Sequence, residues 1–257
     1  MKTTQSLFAS KTRQSGFTIV EMMVALAISL IVMLGFAVTF VNIKQTFLSQ
    51  DKLTQLQDNE RLAMAILTAS AQQAGYFPSP ATLDKSQIIA TTSATYGGMS
   101  SGQAVVGTAP GGPTVPESLS MAFAASANDG LITCQGHTIS AADIAAAPST
   151  LNGSVSVRNI FYVDPTANTL SCITMINGGT ASTYGGGTAQ PLVTNVASMS
   201  VAYGVDGGSG SVAGYWPAAN VPNWLVVKSV RVTLNFVNPN NATATIPWVQ
   251  TINLLNR

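Results

Sequence analysis

The residue whose type and position most demand a chemical explanation is Glu21. It is the one ionisable side chain in the apolar run from Phe17 to Val41, FTIVEMMVALAISLIVMLGFAVTFV. A carboxylate inside such a run costs roughly 2.5 to 3.5 kcal/mol on membrane-insertion scales, so it calls for a cationic partner. No Lys, Arg or His lies in the run, and the partner must come from elsewhere. The alternative is that Glu21 sits near a membrane edge and snorkels to water.

Other patterns are weaker. Gly98-Met99-Ser100-Ser101-Gly102 fits G-x-S-x-G, but an elbow nucleophile at Ser100 needs a strand before it and a helix after it. The segment lies among Thr, Ser and Gly, and His137 is the only imidazole in the chain. Gly208-Ser209-Gly210-Ser211-Val212-Ala213 fits a permissive G-x-G-x-x-A, yet Pro217 and Pro222 stand where a phosphate-binding helix would run, so it reads as a turn. His137 makes no zinc set with two distant cysteines, and no H-E-x-x-H is present. Asp206 opens a Gly-rich loop with Gly and Ser where a calcium loop needs more carboxylates; a hairpin tip is the favoured reading and calcium the alternative. Tyr215, Trp216, Trp224 and Trp248 read as core or subunit contacts rather than a ligand platform. No cofactor is expected, and the sequence reads as a protein that is not an enzyme.

The element that carries Glu21 is a helix. Twenty-five residues at 1.5 Å each reach roughly 37 Å, enough to cross a hydrocarbon core of about 30 Å. Lys2, Lys11 and Arg13 precede the run, while Asp51, Asp58 and Glu60 are among the charges after it. The positive-inside rule then puts the N-terminus in the cytoplasm and everything after Val41 outside. No A-x-A-like cleavage site follows the run, so the segment is expected to be retained.

Ser15-Gly16-Phe17-Thr18-Ile19-Val20-Glu21 resembles the signal of prepilins: a basic leader ending in Gly, an aromatic first mature residue and Glu four positions on. The resemblance implies cleavage after Gly16 by a prepilin peptidase and methylation of the new amine on Phe17. That amine, on the same chain or a neighbouring subunit, is the nearest cation for Glu21, and the resemblance favours the neighbour, the pair registering an incoming subunit against a filament. The stretch LTQLQDNERLAMAILTASAQQAGYF, with Asn59, Glu60, Arg61 and the Ala74-Gly75-Tyr76-Phe77 corner, is similar to the PilW family of minor pilins. So are Ser200 to Asp206, Gly214-Tyr215-Trp216, Val221-Pro222-Asn223-Trp224 and Val227 to Val232. What this implies is a type IV pilin fold of class α+β, a long N-terminal helix on an antiparallel sheet head.

The implied organisation is a leader over 1–16, removed; a transmembrane helix over 17–41; an amphipathic extension of the same helix over 42–75; and an exported β-rich head over 76–257. Asn42 to Ala74 holds no Pro or Gly. Leu48, Leu53, Leu56, Leu62, Ala63, Ile66 and Leu67 supply its apolar face, with Gly75 as C-cap, and Gly35 is the position where a bend or local melting is expected. A signal anchor followed by a coiled-coil stalk is the alternative. Strands are expected at Leu119 to Ala124, Val155 to Val163, Leu170 to Ile176, Met199 to Val205, Leu225 to Val237 and Trp248 to Leu254, with a hairpin turn at Asp164 to Asn168. Residues 81 to 149, rich in Gly, Ala, Ser and Thr, have no assignable fold. Cys134 and Cys172 both lie on the exported side, where a disulfide is the leading reading and two buried thiols the alternative.

Only 8% of the 257 residues are charged, against about a quarter in ordinary soluble domains, and 46% are hydrophobic. Such a surface suits a protein packed among copies or relatives. Three of the eleven basic residues precede Gly16, leaving eight against ten acidic ones, so the mature chain offers no footprint for nucleic acid. The expected function is a minor pilin of type IV pilus assembly at a tip or initiation complex. Its expected partners are other minor pilins, the major pilin, the prepilin peptidase, the inner-membrane assembly machinery and the lipid bilayer. It would reside in the inner membrane with its head in the periplasm, then in the pilus fibre. A type II secretion pseudopilin, a DNA-binding competence pilin and a signal-anchored periplasmic enzyme are the rivals.

Overall fold

Unbroken helical spacing from the apolar run into the charged stretch produces one helix, α1, over Ile19–Gln73. The computed structural model describes residues 16–78, 85, 96–111, 116–127, 129–147, 151, 153–177 and 188–255. The leader residues Met1 to Ser15 lie outside them, as does part of the stretch 81–149. The chain forms two compact units, Met1–Asp51 and Lys52–Arg257.

In the first unit α1 passes through Gly35 without interruption, so the expected weak point is not expressed as a break. Hydroxyls along this stretch satisfy themselves locally: Ser29 donates to the Leu26 carbonyl, Thr39 to Gly35 and Thr46 to Asn42. This is how polar side chains are tolerated where water is absent.

In the second unit the helix buries Leu56, Glu60, Ala63, Met64, Leu67, Ser70 and Ala71. That stripe differs from the expected one. Leu62 is exposed because, at 100° per residue, it points about 140° away from the stripe's centre, and Leu48 and Leu53 are exposed as well. At the C-terminal end Gly75 adopts φ +78°, and its N–H donates to the Ala122 carbonyl at 2.7 Å, tying the helix end to a strand.

Two antiparallel sheets complete the head. One has the order β1-β2-β3-β4-β5, from Val105–Thr108, Ser118–Ser126, Ser154–Asp164, Thr169–Ile176 and Gln190–Thr194. The other has the order β7-β6-β8-β9, from Val212–Pro217, Val196–Asp206, Val227–Asn238 and Asn241–Asn253. A short helix α2, Ala141–Ala145, is closed by a capping box between Ser140 and Asp143. All six expected strands are present. The expected β8 starts too early, since Leu225 and Val226 belong to a 3₁₀ turn, and β9 is longer than expected.

One core joins the helix to both sheets. Leu56, Ala63, Met64, Leu67 and Ala71 pack with Leu119, Met121, Phe161 and Cys172 of the first sheet and Val201, Tyr203, Val230, Val232, Leu234 and Phe236 of the second. Alternation explains the second sheet: Val230, Val232 and Leu234 are buried while Arg231 faces water. The sheets approach closely where Tyr203 meets Gly107, because a Cβ at 107 would overlap the tyrosine hydroxyl. Trp224 closes this junction edge-on at 4.7 Å from the Tyr203 ring centre.

Candidate functional site

The first unit holds the residues with the most specific sequence signal. Gly16 and Phe17 precede the helix and are exposed, Phe17 by 80%. Thr18 stands just before the first helical residue, and its Oγ1 accepts the backbone N–H of Glu21 at 3.3 Å. This is N-cap geometry. Glu21 therefore occupies the first turn, where its charge also complements the positive end of the helix dipole. Thr18 was absent from the expected site residues, although Thr-x-x-Glu before an apolar run is a readable capping signal.

Around and after Glu21 the helix is apolar on every side. Ile19, Met23, Leu26, Leu30, Ile31, Met33, Phe36 and Phe40 are each more than half exposed, and none of the most apolar 18-residue window is buried. Burying one Leu or Phe is worth roughly 1.5 to 3 kcal/mol, so covering a surface of this kind is strongly favourable.

In the head, Cys134 and Cys172 form the disulfide, which ties the segment after β2 to β4. Nearby, Asn159 Oδ1 accepts from the Cys134 N–H and from the Thr174 hydroxyl, both at 3.2 Å. Cross-linking 38 residues contributes roughly 4 kcal/mol in the chain-entropy view.

The remaining patterns resolve into structural roles. Ser100 lies in an exposed turn followed by β1, with no helix, and its N–H is held by Gln103 Oε1. His137 Nε2 stands 3.1 Å from Asp143 Oδ2, which also accepts from the Ser140 hydroxyl and N–H. The Ser140 bonds and His137 hold the Asp143 carboxyl below the usual range despite its burial, which acts in the opposite direction. That arrangement caps α2. Its serine hydroxyl is bound to the acid and not to the imidazole, so the order of a catalytic triad is not formed.

The loop at Asp206 is a hairpin tip between β6 and β7. Asp206 Oδ1 accepts from the N–H groups of Gly208 and Gly210, and Oδ2 meets Lys228 Nζ at 2.5 Å. The Lys228 hydrogen bond is the main cause holding the Asp206 carboxyl below its ordinary value. Lys228 Nζ also donates to the Gly210 carbonyl at 2.7 Å, so the loop's carboxylate is countered by a lysine. Among the described residues no three His, Cys, Asp or Glu converge on a metal site.

Three of the four singled-out aromatics are accounted for within the head. Tyr215 lies 3.8 Å beneath the Arg231 guanidinium, and Trp216 and Trp224 pack against the core. Trp248 remains 41% exposed. A cleft of about 330 Å³ is lined by Pro110, Pro116, Glu117, Val163, Pro165 and Met199, among others. Burial pushes the Glu117 carboxyl up, opposed by the bond its Oε1 accepts from Val201 N–H. Ser198 lines the same cleft, and its Oγ accepts a hydrogen bond from Asn235 Nδ2 at 2.9 Å.

One buried charge escaped sequence reasoning altogether. Arg158 is fully buried on β3, its Nη2 donating to the carbonyls of Tyr96 and Gly97 and to Ser120 Oγ. Desolvation lowers its pKa to about 10. Within a β run, VSVRNIF, a single Arg carries no signal of burial.

Comparison with known families gives two matches. Residues 11–37 match the prokaryotic N-terminal methylation motif, and residues 160–248 match the family described as Type IV Pilus-assembly protein W. The first covers the end of the expected leader, Glu21 and the start of α1; the second runs from within β3 into β9. No curated protein matches the chain.

Proposed function

We propose that the chain is a PilW-like type IV minor pilin, membrane-anchored and acting in pilus assembly, with α1 as its assembly device working by packing rather than by catalysis. The observation that carries this reading is a helix apolar on all sides with a single carboxylate in its first turn. In the membrane, lipid covers that surface. In the fibre, the helices of neighbouring subunits replace the lipid.

The N-terminus is cytoplasmic and the head periplasmic, as the basic residues Lys2, Lys11 and Arg13 favour. A prepilin peptidase cleaves after Gly16, and the new amine on Phe17 is methylated. Glu21 then pairs with the Phe17 amine of the adjacent subunit, offsetting the cost of a carboxylate in apolar surroundings. Thr18 caps the same turn and presents the carboxylate at the helix start. Other minor pilins and the major pilin are the partners, with the inner-membrane machinery extracting the subunit, and the chain acts in the tip or initiation complex. The match over β3 to β9 favours the pilus over a secretion pseudopilin.

N-terminal mass analysis of the mature protein tests the processing: the chain should begin at methylated Phe17. A native protein that retains Lys11 and Arg13 overturns the reading. Glu21→Ala tests the pairing, and should insert in the membrane normally yet be depleted from sheared pili by about tenfold or more, the equivalent of 1.4 kcal/mol. Wild-type incorporation of that variant removes Glu21 from the mechanism.

A further inference from the structure

Among the described residues the head presents four sheet edges, and three of them are short. β1 has 4 residues, β5 has 5 and β7 has 6. Short edges are one way proteins prevent unwanted strand pairing. β9 is the exception: it runs 13 residues, Asn241–Asn253, contains no charged residue, and is the last strand of its sheet.

The direction of its backbone groups follows from the register. Leu254 N–H donates to the Lys228 carbonyl at 2.9 Å, and the same two-residue spacing continues through Ile252↔Val230, Gln250↔Val232 and Trp248↔Leu234. From Thr245 on, even-numbered residues of β9 therefore bond inward to β8, and odd-numbered ones direct N–H and C=O outward. Pro247, opposite Asn235, fits this parity, since its missing donor is lost only from the free side. Val249, Thr251 and Asn253 keep both outward groups, about 6.8 Å apart. Among the described residues no strand pairs with that side.

From this geometry we infer that the free edge of β9 receives an extended strand from a different pilin subunit, with an apolar side chain against Trp248. Alternating donors and acceptors at strand spacing are matched by another extended backbone and by no lipid or isolated side chain. Trp248 points to the helix side of the sheet, level with Leu234, and is left 41% exposed; a fifth strand in this sheet would cover its open flank. Pairing with a second copy is the poorer fit. Across a two-fold axis each copy would set its own Pro247 against the other's strand and two outward donors would be missing, whereas with a foreign strand free of proline only one is missing. This inference rests on the chain's role in a pilus.

The test uses the full-length chain in its own host. Val249→Pro removes one outward N–H and leaves the inward bonds to β8, while Val249→Thr keeps that N–H and changes only the 55% exposed side chain. Val249→Pro should reach the membrane at wild-type level and fall by about tenfold or more in sheared pili, the factor that 1.4 kcal/mol supplies; Val249→Thr should match wild type. Equal incorporation of both variants, or equal loss of both, overturns the inference. A second measurement does not depend on how the proline variant folds: in the wild-type chain the Val249 and Thr251 amides should exchange with solvent freely in detergent and at least about tenfold more slowly in pili. Unchanged exchange overturns the inference, and so does protection in detergent that grows with protein concentration, which would make the occupant a second copy. Absence of the wild-type chain from pili would instead remove the pilus role on which the inference stands.

Discussion

The same helix has two kinds of surface, and the contrast separates assembly from folding. Up to Asp51, α1 exposes Leu, Ile, Val, Met and Phe around its whole circumference. From Lys52 on, a single stripe from Leu56 to Ala74 is buried and the opposite side carries charges such as Asp58 and Arg61 beside the exposed Leu62. The backbone hydrogen bonding is alike in both stretches, so the difference lies in what covers the side chains. One stretch is completed by the chain's own sheets; the other, on the proposed function, is completed by lipid or by other subunits.

Matched substitutions put this division under strain. Leu67→Ala empties a fully buried position and should cost the head about 3 kcal/mol in a thermal or denaturant melt. Leu34→Ala, at a residue 66% exposed, should leave the head's melt unchanged. Equal losses from both would mean that the apolar stretch supports the head. The glycines give the next contrast. Gly107→Ala forces a Cβ into the Tyr203 hydroxyl and should destabilise the head by about 2 kcal/mol.

Gly35→Ala meets no neighbouring atom and should strengthen the helix by up to about 1 kcal/mol, seen as higher helicity in micelles with an unchanged head melt. If that variant also assembles poorly into pili, a local loosening at Gly35 is needed for packing even though the isolated chain is helical there.

The two acids of α1 sharpen the comparison further. Glu60 is buried in the head with no hydrogen-bond partner among the described residues, and desolvation raises its pKa above the ordinary 4.5. The folded head thus keeps a proton that the unfolded chain has released. Head stability should fall as pH rises from 4.5 through the raised value, and Glu60→Gln should flatten that part of the profile and raise the midpoint at neutral pH. A profile unchanged by Glu60→Gln would mean that the carboxylate is solvated. Glu21→Ala, by contrast, should alter incorporation and leave the head's melt as it was.

Much of the fold was legible because its signals are local. Short β-type runs between turn residues located β2, β3, β4, β6, β8 and β9, with period-two alternation along β8, and Asp164 to Asn168 announced the β3–β4 turn, where Asp164 Oδ1 accepts from Thr166 and Ala167. The strands that were missed, β1, β5 and β7, are edges of four to six residues, and β5 and β7 each contain a proline. Pairing with a neighbour makes them strands, and no periodicity of that length could indicate it. Leu62 was misplaced because a leucine-rich amphipathic pattern admits more than one stripe until a sheet selects a face.

By itself the sequence determined the apolar run, its lone acid, the basic leader before it and the helical continuity to Gly75, since each depends on residues adjacent in the chain. The tertiary structure alone decided which face of that helix is core, that Arg158 lies buried among carbonyls, that Lys228 meets Asp206 in its loop, and that β9 is the last strand of its sheet among the described residues. Those features join residues tens to more than a hundred positions apart, and burial and pairing are properties of the neighbours that folding supplies.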